Sequence, residues 1–155
     1  MGRPGKHAGL AYAIYLAYWA RNAAEQARDA AEAARDRIFS LDAIKELTTA
    51  KMAWNEIIRL QRLDALNAPW DIVLERYGTA RESLVRCAEG LCVPDAQRQS
   101  IGEGIALLRI MVIDIETAYL EKDPGRLNIV RFNHILSTQI DDLERARIAI
   151  ERAEI

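Results

Sequence analysis

An all-α fold, an antiparallel helical bundle of about five helices with a long alanine-rich first helix, is what the sequence predicts, and three observations predict it. There are only 8 Gly and 4 Pro in 155 residues, too few for a sheet-rich fold whose turns would need Gly, Pro, Asn or Asp every ~8–12 residues. Strong helix formers, Ala, Leu, Arg and Glu, are abundant,. Apolar side chains recur at alternating steps of three and four through every long segment,. A chain of this size buries roughly 70% of its unfolded surface, so residues 1–155 read as a single helical domain with one core.

The first helix is predicted over 8–38. Leu10, Ala13, Ala17, Ala20, Ala24, Ala27, Ala31, Ala34, Ile38 and Leu41 form a heptad seam along it,. Alanine knobs let a partner helix approach closely, but each buries little apolar area. Opposite charges at helical spacing, Arg28 with Glu32 and Glu32 with Arg35, mark the solvent side,. Residues Phe39-Ser40-Leu41-Asp42 offer two N-caps for a second helix, about 42–66, whose apolar face is Leu47, Ala50, Trp54, Ile57 and Ile58,. Pro69 suits the first turn of a third, carrying Val73, Tyr77, Ala80, Leu84 and Cys87, with Gly90 placed to cap its end,. Pro94 opens a fourth with Ile101, Ile105, Leu108, Val112, Ile115 and Tyr119 at heptad spacing. Leu107, Ile110, Met111 and Ile113 make that helix apolar almost all round, which predicts a central position,. Asp123-Pro124 is expected to cap and begin a fifth, with Ile129, Phe132, Leu136, Ile140, Leu143 and Ile150 as its buried face.

The first helix begins with an apolar, aromatic tip, residues 8–20, thirteen residues without a charge. It spans about 20 Å as a helix, whereas the hydrocarbon of a bilayer is about 30 Å thick, so a complete crossing is not expected. Tyr12, Tyr15, Leu16, Tyr18 and Trp19 are candidate membrane contacts, because Tyr and Trp favour the headgroup region and Arg3, Lys6 and Arg21 flank the run,. A signal peptide would have this hydrophobic length and basic start, but Ala17-Tyr18-Trp19-Ala20 is not a clean small-residue cleavage site,.

Charge narrows the partners. Lys+Arg 21 against Asp+Glu 23 gives a net charge of −2, without the basic excess that phosphate neutralisation requires, so no nucleic-acid partner is expected. Cys87 and Cys92, in Cys-Ala-Glu-Gly-Leu-Cys, match neither a zinc knuckle nor a CxxC redox pair,. Reduced thiols are the default and a bridge across a helix end is the alternative.

Catalytic constellations are missing. Neither His7 nor His134 follows a Glu by three positions, as an inward-facing di-iron site requires,. Two distant histidines cannot build a zinc hydrolase centre, and Gly102-Glu103-Gly104 lacks the remainder of a phosphate loop,. Those glycines are better explained by close helix approach. Ser100 and Ser137 have no nucleophile elbow or His partner, His134 reads as an ordinary surface or hydrogen-bonded histidine, and Asp114 and Glu116 as outward charges,. No catalytic residue, metal or cofactor is expected.

Residues 30–42, Ala-Ala-Glu-Ala-Ala-Arg-Asp-Arg-Ile-Phe-Ser-Leu-Asp, resemble a stretch that recurs in uncharacterised bacterial helical proteins. Similar also are the Ile-Arg-Leu-Gln-Arg motif at Ile58 to Arg62, the following Trp70, and the Glu-Arg-Tyr-x-x-x-Arg-x-x-Leu motif from Glu75 to Leu84. The resemblance covers roughly residues 8–90. It implies a bacterial helical domain that is often preceded by a longer membrane segment, and it brings no activity and no site residue.

The function expected from the residues is therefore that of a non-enzymatic interaction, scaffold or regulatory module. It would self-associate, or dock a protein partner, through Leu10, Ala13, Ala17, Ala20, Ala24, Ala27, Ala31 and Ala34. The alternative is a membrane-associated effector that uses 8–20 as an interfacial or oligomerising helix. A cytoplasmic location, free or at a membrane surface, is expected with either.

Overall fold

The computed structural model describes residues 5–62, 68–90 and 93–153, the side chains of 5–9, 11 and 153 excepted. The fold is all-α: α1 (Gly5–Gln61), α2 (Trp70–Glu89), α3 (Asp95–Leu120) and α4 (Ile129–Ala153), with a 3-10 turn at Pro124–Arg126. The chain divides into two compact units, Met1–Ile38 and Phe39–Ile155.

Among the described residues four helices stand where about five are predicted, because the helices expected at 8–38 and 42–66 are one. Ser40 and Asp42 were the candidate caps, yet neither Gly nor Pro lies between Leu10 and Gln61 to interrupt the backbone ladder,. Ser40 is buried within helical backbone instead of opening a new first turn. The end expected near Asn67 lies outside the described residues.

The second unit holds the core. Leu47, Trp54 and Ile57 of α1, Tyr77 and Leu84 of α2, Ile101, Leu108 and Ile115 of α3, and Leu136 and Ile150 of α4 are all essentially removed from solvent. These are the apolar faces that the three-and-four spacing predicts, and truncating a fully buried Trp such as Trp54 to Ala costs about 3–5 kcal/mol in comparable cores. Gly104 permits close packing at the centre, since a Cβ there would lie 2.9 Å from Gln139 Oε1, 3.6 Å from Trp54 Cη2 and 3.7 Å from Leu84 Cδ1. Gly102 has nothing within 4 Å of its missing Cβ, so close approach explains only one of the pair.

Helix ends follow the sequence signals with shifts of detail. Pro69 and Pro94 stand one residue before α2 and α3, their carbonyls accepting from Val73 N–H and Arg98 N–H at 3.0 Å each. Gly90 ends α2 in extended rather than left-handed backbone, and a Cβ there would sit 3.0 Å from the Cys87 carbonyl that its N–H contacts. Asp123 and Pro124 begin the 3-10 turn, not the last helix. The side chain that caps α4 is Asn128, whose Oδ1 accepts from Arg131 N–H at 2.9 Å.

Ion pairs knit the elements of this unit. Lys51 meets Glu144 at 2.8 Å, Arg76 meets Glu56 at 2.8 Å and Arg86 meets Glu46 at 3.3 Å. Arg86 thus bridges α2 to α1. Within α4, Arg145 pairs with Asp142, and Arg147 with both Glu144 and Glu151.

Candidate interaction surface

The α1 segment of the first unit carries both sets of predicted contact residues. Its Ala-rich composition favours helix because alanine loses no side-chain entropy on folding, and Arg21–Glu25 at 3.0 Å and Arg28–Glu32 at 2.9 Å add exposed i,i+4 ion pairs. Each such pair contributes only a few tenths of a kcal/mol.

Every seam residue, Leu10, Ala13, Ala17, Ala20, Ala24, Ala27, Ala31 and Ala34, is exposed. So are Tyr12, Tyr15, Leu16, Tyr18 and Trp19, with 48% to 65% of their surface open. At 3.6 residues per turn the helix brings Leu10, Ala13, Ala17 and Ala20 to one side, and Tyr12, Tyr15, Tyr18 and Trp19 to an arc about 120° wide on the other. Leu16 lies between the two arcs. The structure thus separates the two predicted sets onto opposite faces of one helix. Among the described residues no helix is long and apolar enough to cross a membrane.

A second exposed apolar strip lies on α3 and includes Ile110 and Ile113, two of the residues whose all-round apolarity predicts a central position for this helix. Ile110 is 56%, Ile113 50% and Leu120 81% exposed. With Ala106 and Thr117, also exposed, they repeat at four, three, four and three. Opposite them on α3 run the buried Ile101, Leu108, Met111, Ile115 and Ala118. The all-round apolarity of this helix therefore reflects burial on one side only. The signal that could have found the strip was present: two heptad rows on one helix, where a bundle needs one.

Two grooves of the second unit are lined by charged side chains. One of about 250 Å³ is lined by Leu47, Thr48, Lys51, Leu143, Glu144 and Arg147. Hydrogen bonds from Arg147 and Lys51 hold the Glu144 carboxyl down at about 2, and the same carboxylate raises Arg147 above the usual guanidinium range. A carboxylate so firmly ionised is no proton donor near neutral pH. A wider groove, about 530 Å³, runs between α2 and α3 past Leu74, Gly78, Arg81, Arg109, Ile113 and Glu116. Among the described residues no cluster of three or more His, Cys, Asp or Glu could hold a metal ion.

Of the residues weighed for chemistry, His134 and Ser137 are exposed, Ser100 is half-buried, and Asp114 and Glu116 face solvent. His7 and Cys92 lie outside the described side chains. Cys87 is a free, buried thiol whose Sγ donates to the Ala43 carbonyl at 3.8 Å. Burial, with Glu46 nearby, pushes it up to about 11.

Compared with protein-family models, with curated proteins and with solved structures, the chain matches none.

Proposed function

We propose that the chain is a non-enzymatic helical interaction module, a scaffold or regulator that self-associates or docks a protein partner through the alanine-rich face of α1. The observation that carries this reading is the exposure of the whole seam, Leu10, Ala13, Ala17, Ala20, Ala24, Ala27, Ala31 and Ala34, continued by exposed Ile38. Leaving that much apolar surface in water forgoes about 25 cal/mol per Å², and contiguous apolar patches on soluble domains mark contact sites. The seam at heptad spacing supplies a geometry in which a second helix can mesh. No catalytic residue, cofactor or metal enters this reading, and no nucleic acid.

In this reading the second unit is an antiparallel bundle. The pairs Ala43 with Cys87, Glu46 with Arg86, Glu56 with Arg76 and Gln61 with Tyr77 support it, descending α2 as they climb α1. The resemblance of the motifs in residues 30–84 to bacterial helical proteins supports a bacterial origin, and a cytoplasmic location, free or at a membrane surface, belongs to the same reading.

Light-scattering mass after size exclusion tests the proposal on the full chain, on Ala24→Glu/Ala31→Glu, and on a chain starting at Asn22. A multimer that the seam substitutions reduce to a lower mass supports it. An unchanged mass refutes it.

One observation favours a second reading, a membrane-associated effector: Tyr12, Tyr15, Leu16, Tyr18 and Trp19 stay exposed on or beside the face opposite the seam. Arg3, Lys6 and Arg21, with no acid before Glu25, make this segment cationic, as attraction to an anionic surface requires,. Co-sedimentation with phosphatidylcholine–phosphatidylglycerol vesicles, lost when Leu16 and Trp19 become Gln, would establish it.

A further inference from the structure

We infer that the exposed strip of α3 is a second self-association surface, one that pairs two copies of the chain antiparallel about a two-fold axis. Ala106, Ile110, Ile113, Thr117 and Leu120 form a continuous row about 21 Å long,. When two antiparallel helices mesh through such a row, Ile110 packs against Ile113 of the partner subunit and Ala106 against Thr117 of the partner subunit. The same register sets Arg109 beside Glu116 of the partner subunit, and symmetry makes the contact twice. Neither side chain takes part in an ion pair among the described residues. Both are exposed on the flank that borders the α2–α3 groove, where Arg81 adds a further cation.

Charge decides the direction of pairing. In a parallel pair Arg109 would meet Asp114 of the partner subunit, but Glu116 would meet Glu121 of the partner subunit, so attraction and repulsion would cancel. In the antiparallel pair both flanking contacts of this kind are attractive. A two-helix contact of this length lies near the lower limit of about 1,000 Å² for a specific interface, so the dimer is weak and forms at concentrations on the order of 100 µM.

The surface is independent of the α1 seam, and the test keeps the two apart. Sedimentation equilibrium is run on the full chain and on the full chain carrying Ala24→Glu/Ala31→Glu, up to about 200 µM. In the seam-substituted chain a weak dimer is expected to persist. Arg109→Glu or Glu116→Arg should weaken it about tenfold, since both symmetry copies change from attraction to repulsion together. The double reversal Arg109→Glu/Glu116→Arg should restore it, and Ile113→Asp should abolish it. Arg109, Ile113 and Glu116 are all exposed, so the fold is not at stake. A monomer throughout the range overturns the inference, as does a dimer indifferent to the reversals. A Glu116→Arg chain that associates more tightly overturns the antiparallel register, because in a parallel pair that substitution would turn the Glu116–Glu121 repulsion into attraction. A wild-type mass insensitive to Ala24→Glu/Ala31→Glu but lowered by Arg109→Glu upholds this surface and removes the α1 seam.

Discussion

Removing one oxygen from the core gives the sharpest test of how this fold is held together. Gln61, at the end of α1, is 1% exposed, and its Nε2 donates to the Tyr77 hydroxyl at 2.9 Å. That hydroxyl in turn donates to Met111 Sδ at 3.6 Å, and Gln61 Oε1 has no hydrogen-bond partner. Tyr77→Phe would therefore leave the whole Gln61 amide buried and unsatisfied, at a cost of about 1–3 kcal/mol. Gln61→Leu loses the same hydrogen bond, about 1 kcal/mol, but also removes the unpaired carbonyl, so it should be close to neutral. The double substitution leaves no stranded amide and should be no less stable than Gln61→Leu alone, giving a coupling of about 1 kcal/mol or more. Urea unfolding in a Trp19→Phe background reads this directly, since the remaining Trp54 and Trp70 are buried in the second unit. The midpoint of Tyr77→Phe should fall with unchanged slope, and its Tm by roughly 2–4 °C per kcal/mol. Strictly additive single effects, or a Tyr77→Phe chain as stable as the parent, would refute the reasoning.

Gly104→Leu should destabilise by about 1–3 kcal/mol, because Trp54 and Leu84 already stand at contact distance from the Cβ position,; Gly104→Ala should stay within about 1 kcal/mol of neutral, since Gln139 Oε1, which must give way, forfeits no hydrogen bond and the helix gains propensity,. Thermal melts of the two variants check both, and a Gly104→Leu chain as stable as the parent would contradict the close packing. For Cys87, whose thiol is raised from 9.0 to about 11, the folded state holds its proton where the unfolded chain releases it, so stability is full below pH 9 and declines as pH rises toward 11,. Urea midpoints measured across that range should slope less for Cys87→Ala, and Cys87 should resist thiol reagents at neutral pH; equal slopes would show that the thiol is not the source.

Much of the core was legible because helix burial writes itself as spacing. Leu47, Trp54 and Ile57, or Val73, Tyr77 and Leu84, follow from the three-and-four step alone, and all are buried. Boundaries were less legible where the signal was a polar residue rather than a breaker. Ser40 and Asp42 can cap a helix, but they can equally continue one, and without Gly or Pro the ladder ran on. Asn128 outcompeted Asp123-Pro124 because the proline geometry was absorbed by a 3-10 turn first. Side-chain pairings were readable only when both partners lay on one helix: Arg28–Glu32 was, while Arg86–Glu46 joins positions 40 residues apart. On α3 the rows of apolar residues were visible, but sequence alone does not say which row the bundle covers.

Magnitudes explain why a chain like this would use more than one contact surface. The α1 seam is Leu10 followed by seven alanines, and a buried methyl contributes at most about 0.8 kcal/mol. Seven of them per helix give roughly 5–6 kcal/mol on each side, against an association cost of about 4–15 kcal/mol. Such a seam sits near balance, and Leu10 at one end with Ile38 and Leu41 at the other decides the sign. The α3 strip, with three large apolar side chains, Ile110, Ile113 and Leu120, is of the same marginal order,. Two weak surfaces that act independently should each show their own assembly midpoint, so seam substitutions should shift one and α3 substitutions the other, with additive losses in the double variant.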